Sequence, residues 1–128
     1  MRAADANVLV RLLARDDPKQ TAAAEAFITG GAWIPHLVLA EAVWVLVAVY
    51  ERTPRQIAES VRQLLEHESL VVQEPETVAL ALDRFCEKVA PGFSDCLILE
   101  IARKAGHLPL GTFDRVLGRQ EDTVRLKG

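Results

Sequence analysis

Apolar residues recur at helical spacing over much of the chain. Near the amino terminus, Val8, Leu9, Leu12 and Leu13 share one face of a helix predicted over residues 6–16. Three further helices are expected to begin at a proline, which the first helical turn tolerates. They are predicted from Pro18 to the Gly30–Gly31 pair, from Pro54 through Leu65, and from Pro75 to about Lys88.

Two other segments also predict helices. Residues 36–50 are apolar nearly all round, which indicates burial on more than one side. Together with the amphipathic helix that starts at Pro54, this segment predicts a helical hairpin. The sequence PGFSDCLILEIARKAG predicts a loop followed by a helix that ends at Gly106, since glycine is the preferred residue just beyond a helix end.

Short β-branched or apolar runs separate these helices. Residues 2–5 and 70–72 predict strands, 32–34 a strand or a turn, HLPLGTFD a strand and then a turn, and DTVRL a last strand. Because strands alternate with helices, the expected fold class is α/β, a sandwich with a central, mainly parallel sheet. The length of 128 residues suits a single domain over residues 1–128.

Composition and charge narrow the possible functions. Hydrophobic residues make up 50% and charged residues 26%, as in ordinary globular proteins, and the formal net charge of -3 disfavours duplex DNA binding through the overall field. Any nucleic-acid contact therefore requires a local patch or a metal ion. Cys86 and Cys96 stand too far apart for a redox or zinc motif and are expected to be reduced, mostly buried thiols.

No secretory signal or membrane span is expected. The amino terminus lacks an apolar signal region, and residues 37–50 contain Glu41 and are shorter than the roughly twenty residues of a membrane span. We therefore expect a cytoplasmic protein.

Three of four candidate acids lie where predicted elements begin or meet, and the fourth lies within a helix. Asp5 follows the first strand, Asp114 follows the strand in HLPLGTFD, and Asp95 lies in the first turn of its helix. Ligands of open α/β sheets bind beyond the carboxyl ends of the strands, so the first two acids are expected at such a crevice. Glu41 falls on an otherwise apolar helix, where a buried, unpaired charge costs several kcal/mol.

Each acid also has a structural explanation. The three aspartates could cap free N–H groups at helix starts, and Glu41 could bond to a partner across the core. Taken together, converging acids would repel one another unless a cation neutralises them. A divalent ion with oxygen ligands, such as Mg²⁺, would acidify a water and orient a phosphate, so the pattern suits phosphodiester hydrolysis.

Other chemistries find little support. A complete nucleophile elbow, a dinucleotide-binding glycine motif and a P-loop are all missing, and His36, His67 and His107 are dispersed. Trp44 is expected in the core or as an interface anchor in preference to a base-stacking role. Arg115 and Arg119, four residues apart, could touch an RNA backbone or lie on a solvated helix face.

Four motifs resemble those of one known family. DANVLVRLL, PHLVLAEAVWVL, FSDCLILEIARKAG and LGTFDRVL carry the four acids in the order and spacing of the PIN-domain nucleases, and the chain resembles in particular the VapC-like toxins of bacterial toxin–antitoxin pairs. The resemblance extends over essentially the whole chain.

The resemblance implies a fold, an activity and partners. The fold is a PIN-like α/β/α sandwich, and the activity is RNA cleavage with Mg²⁺, for which Mn²⁺ substitutes. The implied partners are the RNA substrate, a cognate antitoxin and a second copy in a homodimer.

The resemblance also assigns roles within the site. Asp5, Glu41, Asp95 and Asp114 correspond to the catalytic acids, with Asp5 and Asp95 as the foremost metal ligands. Asn7 would orient Asp5, and Thr112 matches a hydroxyl residue two positions before the last acid. Ala6 departs from the family, in which threonine is common, so a hydrogen bond near the metal would be lost.

Three roles are compatible with these motifs. The first is a toxin ribonuclease, in which the helix over residues 37–50, with Trp44 and Tyr50, offers a surface for the dimer or antitoxin. The second is a catalytically idle PIN-like binding or regulatory module. The third is a housekeeping RNA-processing nuclease without an antitoxin.

Overall fold

A computed structural model describes residues 1–87 and 91–128, and these residues form two compact units, Met1–Pro75 and Glu76–Gly128. The first unit contains, in chain order, β1 (Arg2–Ala3), α1 (Ala6–Ala14), α2 (Pro18–Ile28), β2 (Ala32–Ile34), α3 (His36–Ala48), α4 (Pro54–Glu66) and β3 (Leu70–Val72). The second contains α5 (Pro75–Glu87, beginning at the last residue of the first unit), α6 (Phe93–Ala105), β4 (Leu110–Thr112), a short 3-10 helix (Leu117–Arg119) and β5 (Thr123–Arg125).

All strand pairs among the described residues are parallel. In the first unit β2 lies between β1 and β3, and in the second β4 pairs with β5. The predicted parallel α/β class is therefore confirmed, and the uncertain segment over residues 32–34 is the central strand of its sheet. Ala32 and Ile34 of that strand are fully buried, as expected of a strand that lies between two other strands of a parallel sheet.

The helix starts follow from local sequence. Asp17 caps α2 ahead of Pro18, and Thr53 forms a reciprocal capping box with Gln56 at the start of α4. Gly106 adopts a left-handed conformation after α6, as its position predicts. The predicted end of α5 near Lys88 lies outside the described residues.

The helix α3 begins differently, because Pro35 has no side chain that could cap it. Instead the backbone N–H of His36 donates to the Oε1 atom of Gln73, at 2.9 Å. Gln73 follows β3 and donates its own N–H to the carbonyl of Ile34. A residue 37 positions away in the chain thus fixes the start of the helix that carries Glu41.

The helical hairpin is observed, since α3 and α4 follow one another and contact each other. The prediction that α3 is buried on more than one side is wrong. Its core face consists of Leu39, Ala42, Val43 and Leu46, whereas Leu37, Trp44 and Val47 are exposed. Hydropathy alone could not reveal this difference, because both faces of the helix are apolar.

The cysteine prediction holds in part. Both thiols are free, and Cys96 is buried, which raises its pKa to about 11. Cys86 is exposed, contrary to expectation, because it lies on the outer face of α5 next to the buried Phe85. None of the helices in the described part of the chain is long and apolar enough to cross a membrane.

The end of α3 is tied to α1 by a polar network around Tyr50. The hydroxyl of Tyr50 donates to Oδ2 of Asp16 at 2.9 Å and accepts from Nη1 of Arg11 at 3.1 Å. Arg11 also pairs with Oδ1 of Asp16. The hydrogen bond from Tyr50 is the main reason why the pKa of Asp16 lies below its usual range.

This network predicts a pH-dependent effect of Tyr50→Phe. A lowered folded-state pKa means that ionised Asp16 stabilises the fold above its unfolded-state pKa, and that this contribution is lost as pH falls through the folded-state value. We expect Tyr50→Phe to lower the midpoint of urea unfolding at pH 7, and the difference from the parent to shrink below about pH 4. An equal difference at all pH values would contradict the role of the Asp16 charge.

Candidate metal centre

Asp95 occupies the third position of α6, and the start of this helix is fixed by burial. Gly92 precedes the helix without a capping side chain, and Phe93 is buried against Phe85 in an edge-to-face contact with ring centroids 6.1 Å apart. Leu99, one turn beyond Asp95, is also buried, but Ile98 is about half exposed. The side of α6 next to Asp95 is therefore only partly buried.

The carboxylate of Asp95 is half-buried and forms no hydrogen bond or ion pair within residues 1–87 and 91–128. Burial raises its pKa, and the negative charge of Asp114 raises it further. The second effect shows that the fold of the second unit brings these two acids within electrostatic range. A cation between them would relieve both effects.

Asp114 is held by the turn that follows β4. Its Oδ1 atom accepts hydrogen bonds from the backbone N–H groups of Val116, at 2.9 Å, and Leu117, at 2.7 Å. Its own N–H donates to the hydroxyl oxygen of Thr112 at 3.0 Å. The capping explanation thus holds for one oxygen of Asp114, whereas the other oxygen is not used in these bonds. Thr112 supports the backbone of this acid.

Asp5 is also a helix cap. Asp5 follows Ala4, whose backbone N–H donates to the carbonyl of Trp33. The Oδ1 atom of Asp5 accepts a hydrogen bond from the N–H of Val8, at 3.3 Å. The side chain of Asn7 is exposed and makes no hydrogen bond to Asp5 within the described residues. The structure therefore does not contain the orienting bond expected from the sequence.

Glu41 lies on the exposed face of α3, not in the core. It has no hydrogen bond or ion pair within the described part of the chain, so neither the buried charge nor the partner across the core is observed. Trp44, three residues later, is 67% exposed, which excludes the expected core position. Burial of Glu41 and a core position for Trp44 were both wrong, because α3 has two apolar faces and only one of them is covered, whereas a role of Trp44 as an interface anchor stays a prediction.

The remaining candidate residues differ in their availability. The side chains of Arg115 and Arg119 are exposed and unpaired within the described residues, so both guanidinium groups are free to bind phosphate. They stand on a turn and a short 3-10 helix, not on the longer helix face considered as their alternative. The hydroxyl of Tyr50 is occupied within its own unit by Arg11 and Asp16.

The four acids are thus distributed over the two units, with Asp5 and Glu41 in the first and Asp95 and Asp114 in the second. Among the described residues, no group of three or more His, Cys, Asp or Glu side chains could hold a metal ion. Among the four acids, Asp114 is the one whose charge acts on Asp95. Gln73, which orders the start of α3, was missed because no local sequence signal marks a cap supplied from a distant loop.

Comparison with known proteins identifies the class. The profile of the PIN-domain family matches residues 3–122, and the chain therefore belongs to the PIN-domain family. Its helices and parallel strands are those of the PIN-like α/β/α fold, and the class is that of the PIN-superfamily nucleases. Comparisons with curated proteins and with solved structures gave no match.

The position of Asp95 predicts that its charge costs stability. Because the folded-state pKa is raised, folding is less favourable once the carboxyl ionises, and stability falls as pH rises through its pKa values. In metal-free protein at pH 7, Asp95→Asn should therefore raise the melting temperature, and the gain should shrink as pH approaches about 4.

The matched control is Asp83→Asn, which removes an exposed acid from α5 in the same unit. This variant should melt within about 2 °C of the parent, because a surface substitution typically changes stability by no more than about 0.5 kcal/mol. A lower melting temperature for Asp95→Asn at pH 7 would show that the carboxylate stabilises the fold instead.

Proposed function

We propose that the chain is a metal-dependent endoribonuclease that hydrolyses RNA phosphodiester bonds and acts as the toxin of a VapC-like toxin–antitoxin pair. The observation that carries the proposal is the half-buried carboxylate of Asp95, which lacks a hydrogen bond in the described structure and lies in the field of Asp114. A structural acid is normally paired, whereas a metal ligand is left available for its ion.

The donor chemistry of this pair fits Mg²⁺, with Mn²⁺ as a substitute. Mg²⁺ prefers oxygen ligands and usually binds through one or two carboxylates, with water and substrate phosphate completing its shell. Two acids are therefore enough to begin a site. When bound, the ion would acidify a water and offset charge on the leaving oxygen. Asp95 and Asp114 would hold it.

The protein would contribute orientation and charge. The N–H groups of Val116 and Leu117 hold one oxygen of Asp114. The buried side chain of Phe93 fixes the first turn of α6, which carries Asp95. Arg115 and Arg119 offer unpaired guanidinium groups to the RNA backbone. We assign Asp5 and Glu41 as the other catalytic acids, and Asn7 and Thr112 as supporting residues, by their match to the PIN-family motifs.

The partners follow from the resemblance to VapC-like toxins. We propose a cognate antitoxin that holds the enzyme inactive and a homodimer as the assembled form. Neither proposal depends on a particular surface of the structure. Trp44, which is exposed on α3, is available for such a protein contact.

The first experiment tests the metal site and the chemistry together. Asp95→Asn and Asp114→Asn should each reduce Mg²⁺-dependent cleavage of labelled RNA by about a hundredfold or more, because a bound metal supplies several kcal/mol of transition-state stabilisation. Calorimetric titration should show Mn²⁺ binding to the parent and to Asp83→Asn, and weakened binding to both site variants. Full activity of contaminant-free Asp95→Asn would contradict the proposed site.

The second experiment tests the role as a toxin. Induced expression of the parent should arrest bacterial growth, Asp95→Asn should not, and the product of a small neighbouring gene should restore growth. A cleaving enzyme that leaves growth unchanged would indicate an RNA-processing nuclease. Absence of both cleavage and arrest would indicate a binding module without catalysis.

A further inference from the structure

One arginine of the second unit connects α6 to the turn that precedes β5. Arg103 lies in the last turn of α6, and its Nη1 atom donates to the carboxylate of Glu100, one turn earlier. Its Nε atom donates to Oδ2 of Asp122, and its Nη2 atom donates to the carbonyl of Glu121, both at 3.0 Å. All three nitrogen atoms of the guanidinium group are therefore used, and two of them bind outside the helix.

Glu100 is the buried partner of this arginine. It is 6% exposed and is the one charged side chain that is buried within residues 1–87 and 91–128. A buried ion pair adds little net stability compared with apolar side chains of similar size, because both charges must lose their water. What the pair provides is orientation, since Glu100 holds the guanidinium group of Arg103 in reach of Asp122.

The helix itself carries this connection to Asp95. Helix α6 is continuous from Phe93 to Ala105, and Arg103 follows Asp95 by eight residues, which is about 12 Å along the helix axis. The buried Phe93 fixes the first turn of the helix. A displacement of Arg103 relative to residues 121–122 would therefore be transmitted along α6 to the carboxylate of Asp95.

Residues 121–122 are connected to Asp114 through β4. The carbonyl of Asp122 accepts a hydrogen bond from the N–H of Leu110, the first residue of β4, at 2.8 Å. At the other end of the strand, the N–H of Leu126 donates to the carbonyl of Thr112 at 2.7 Å. The hydroxyl of Thr112 accepts the N–H of Asp114. The backbone of Asp122 thus sets the start of the strand that leads to this acid.

We propose that Arg103 is a positioning residue that sets the separation of Asp95 and Asp114 by joining α6 to the turn before β5. We call Glu100, Arg103 and Asp122 the Arg103 link. The proposal rests on the proposed nuclease function, because two carboxylates can share one metal ion only at a separation that suits its short oxygen bonds. The link acts through the two acids and touches neither the ion nor the RNA.

The alternative is that the Arg103 link only stabilises the fold. The two roles differ in the folded protein. A positioning role changes metal affinity and kcat, whereas a stabilising role changes only the temperature at which the protein unfolds. All assays are therefore made well below the melting temperature of the least stable variant.

Asp122 offers a matched pair of variants, because its backbone is left-handed, with a φ of 64°. Glycine and asparagine both tolerate this conformation. Asp122→Gly removes the bond to Arg103 and should lower kcat for RNA cleavage about tenfold with little change in KM. It should also weaken Mn²⁺ binding about tenfold in calorimetric titration. Asp122→Asn keeps a side-chain oxygen that Arg103 can bind and should recover most of both losses.

A change of the arginine provides an independent test. Arg103→Lys keeps a positive charge opposite the buried Glu100, but one ammonium nitrogen cannot replace contacts made by three separate nitrogen atoms. It should lose about as much kcat and Mn²⁺ affinity as Asp122→Gly. The double variant should lose no more than either single variant, because both changes break the same contact.

Lys104→Met is the control for the arginine variant. It removes the neighbouring cation of α6, whose ammonium group pairs with Glu76 of α5 and does not belong to the Arg103 link. Its kcat and Mn²⁺ affinity should match those of the parent.

Amide signals give a readout that needs neither metal nor substrate. The N–H groups of Val116 and Leu117 donate to Oδ1 of Asp114 and report on its position. In nitrogen-15-labelled protein, both signals should shift in Asp122→Gly and stay close to those of the parent in Asp122→Asn. Unchanged signals in Asp122→Gly would show that Asp114 is positioned independently of the Arg103 link.

The outcomes separate this proposal from the one it rests on. If the parent cleaves RNA and Asp122→Gly keeps kcat and Mn²⁺ affinity, the positioning role is overturned while the nuclease stands. If the parent cleaves no RNA, the nuclease proposal fails, and a Mn²⁺ affinity that is weakened in Asp122→Gly but not in Asp122→Asn still supports the link. Equal affinities overturn it. If the parent binds no Mn²⁺, the amide signals decide in the same way.

Discussion

Parallel pairing of β2 with both β1 and β3 determines where polar groups gather in the first unit. Parallel strands end at the same edge of a sheet, and at this edge the ladder continues through Ala4 N–H to Trp33 and Gln73 N–H to Ile34. Asp5 follows the first of these bonds, and the side chain of Gln73 receives the first N–H of α3. The position of Glu41 on α3 therefore depends on a strand that comes much later in the chain.

In the second unit, the burial of one acid is unfavourable for folding. Asp95 remains half-buried in a helix whose first residue, Phe93, is held in the core. The same burial that raises its pKa also strengthens its interaction with any cation that approaches, because fewer water molecules compete. Stability alone would favour a paired or solvated acid at this position, which is why this carboxylate is the basis of the proposed metal site.

The sequence by itself determined the order and kind of the elements. Prolines at helix starts, the glycine after α6 and short β-branched runs are local signals, and local signals act through backbone geometry that needs no distant contact. The order of the four acids was likewise visible in the family motifs. Tertiary structure alone decided which acid was buried, capped or exposed, and which face of α3 was covered. Those properties depend on what packs against each residue, as the cap that Gln73 supplies to α3 demonstrates. The sequence of an apolar helix does not show which of its faces will pack against another element.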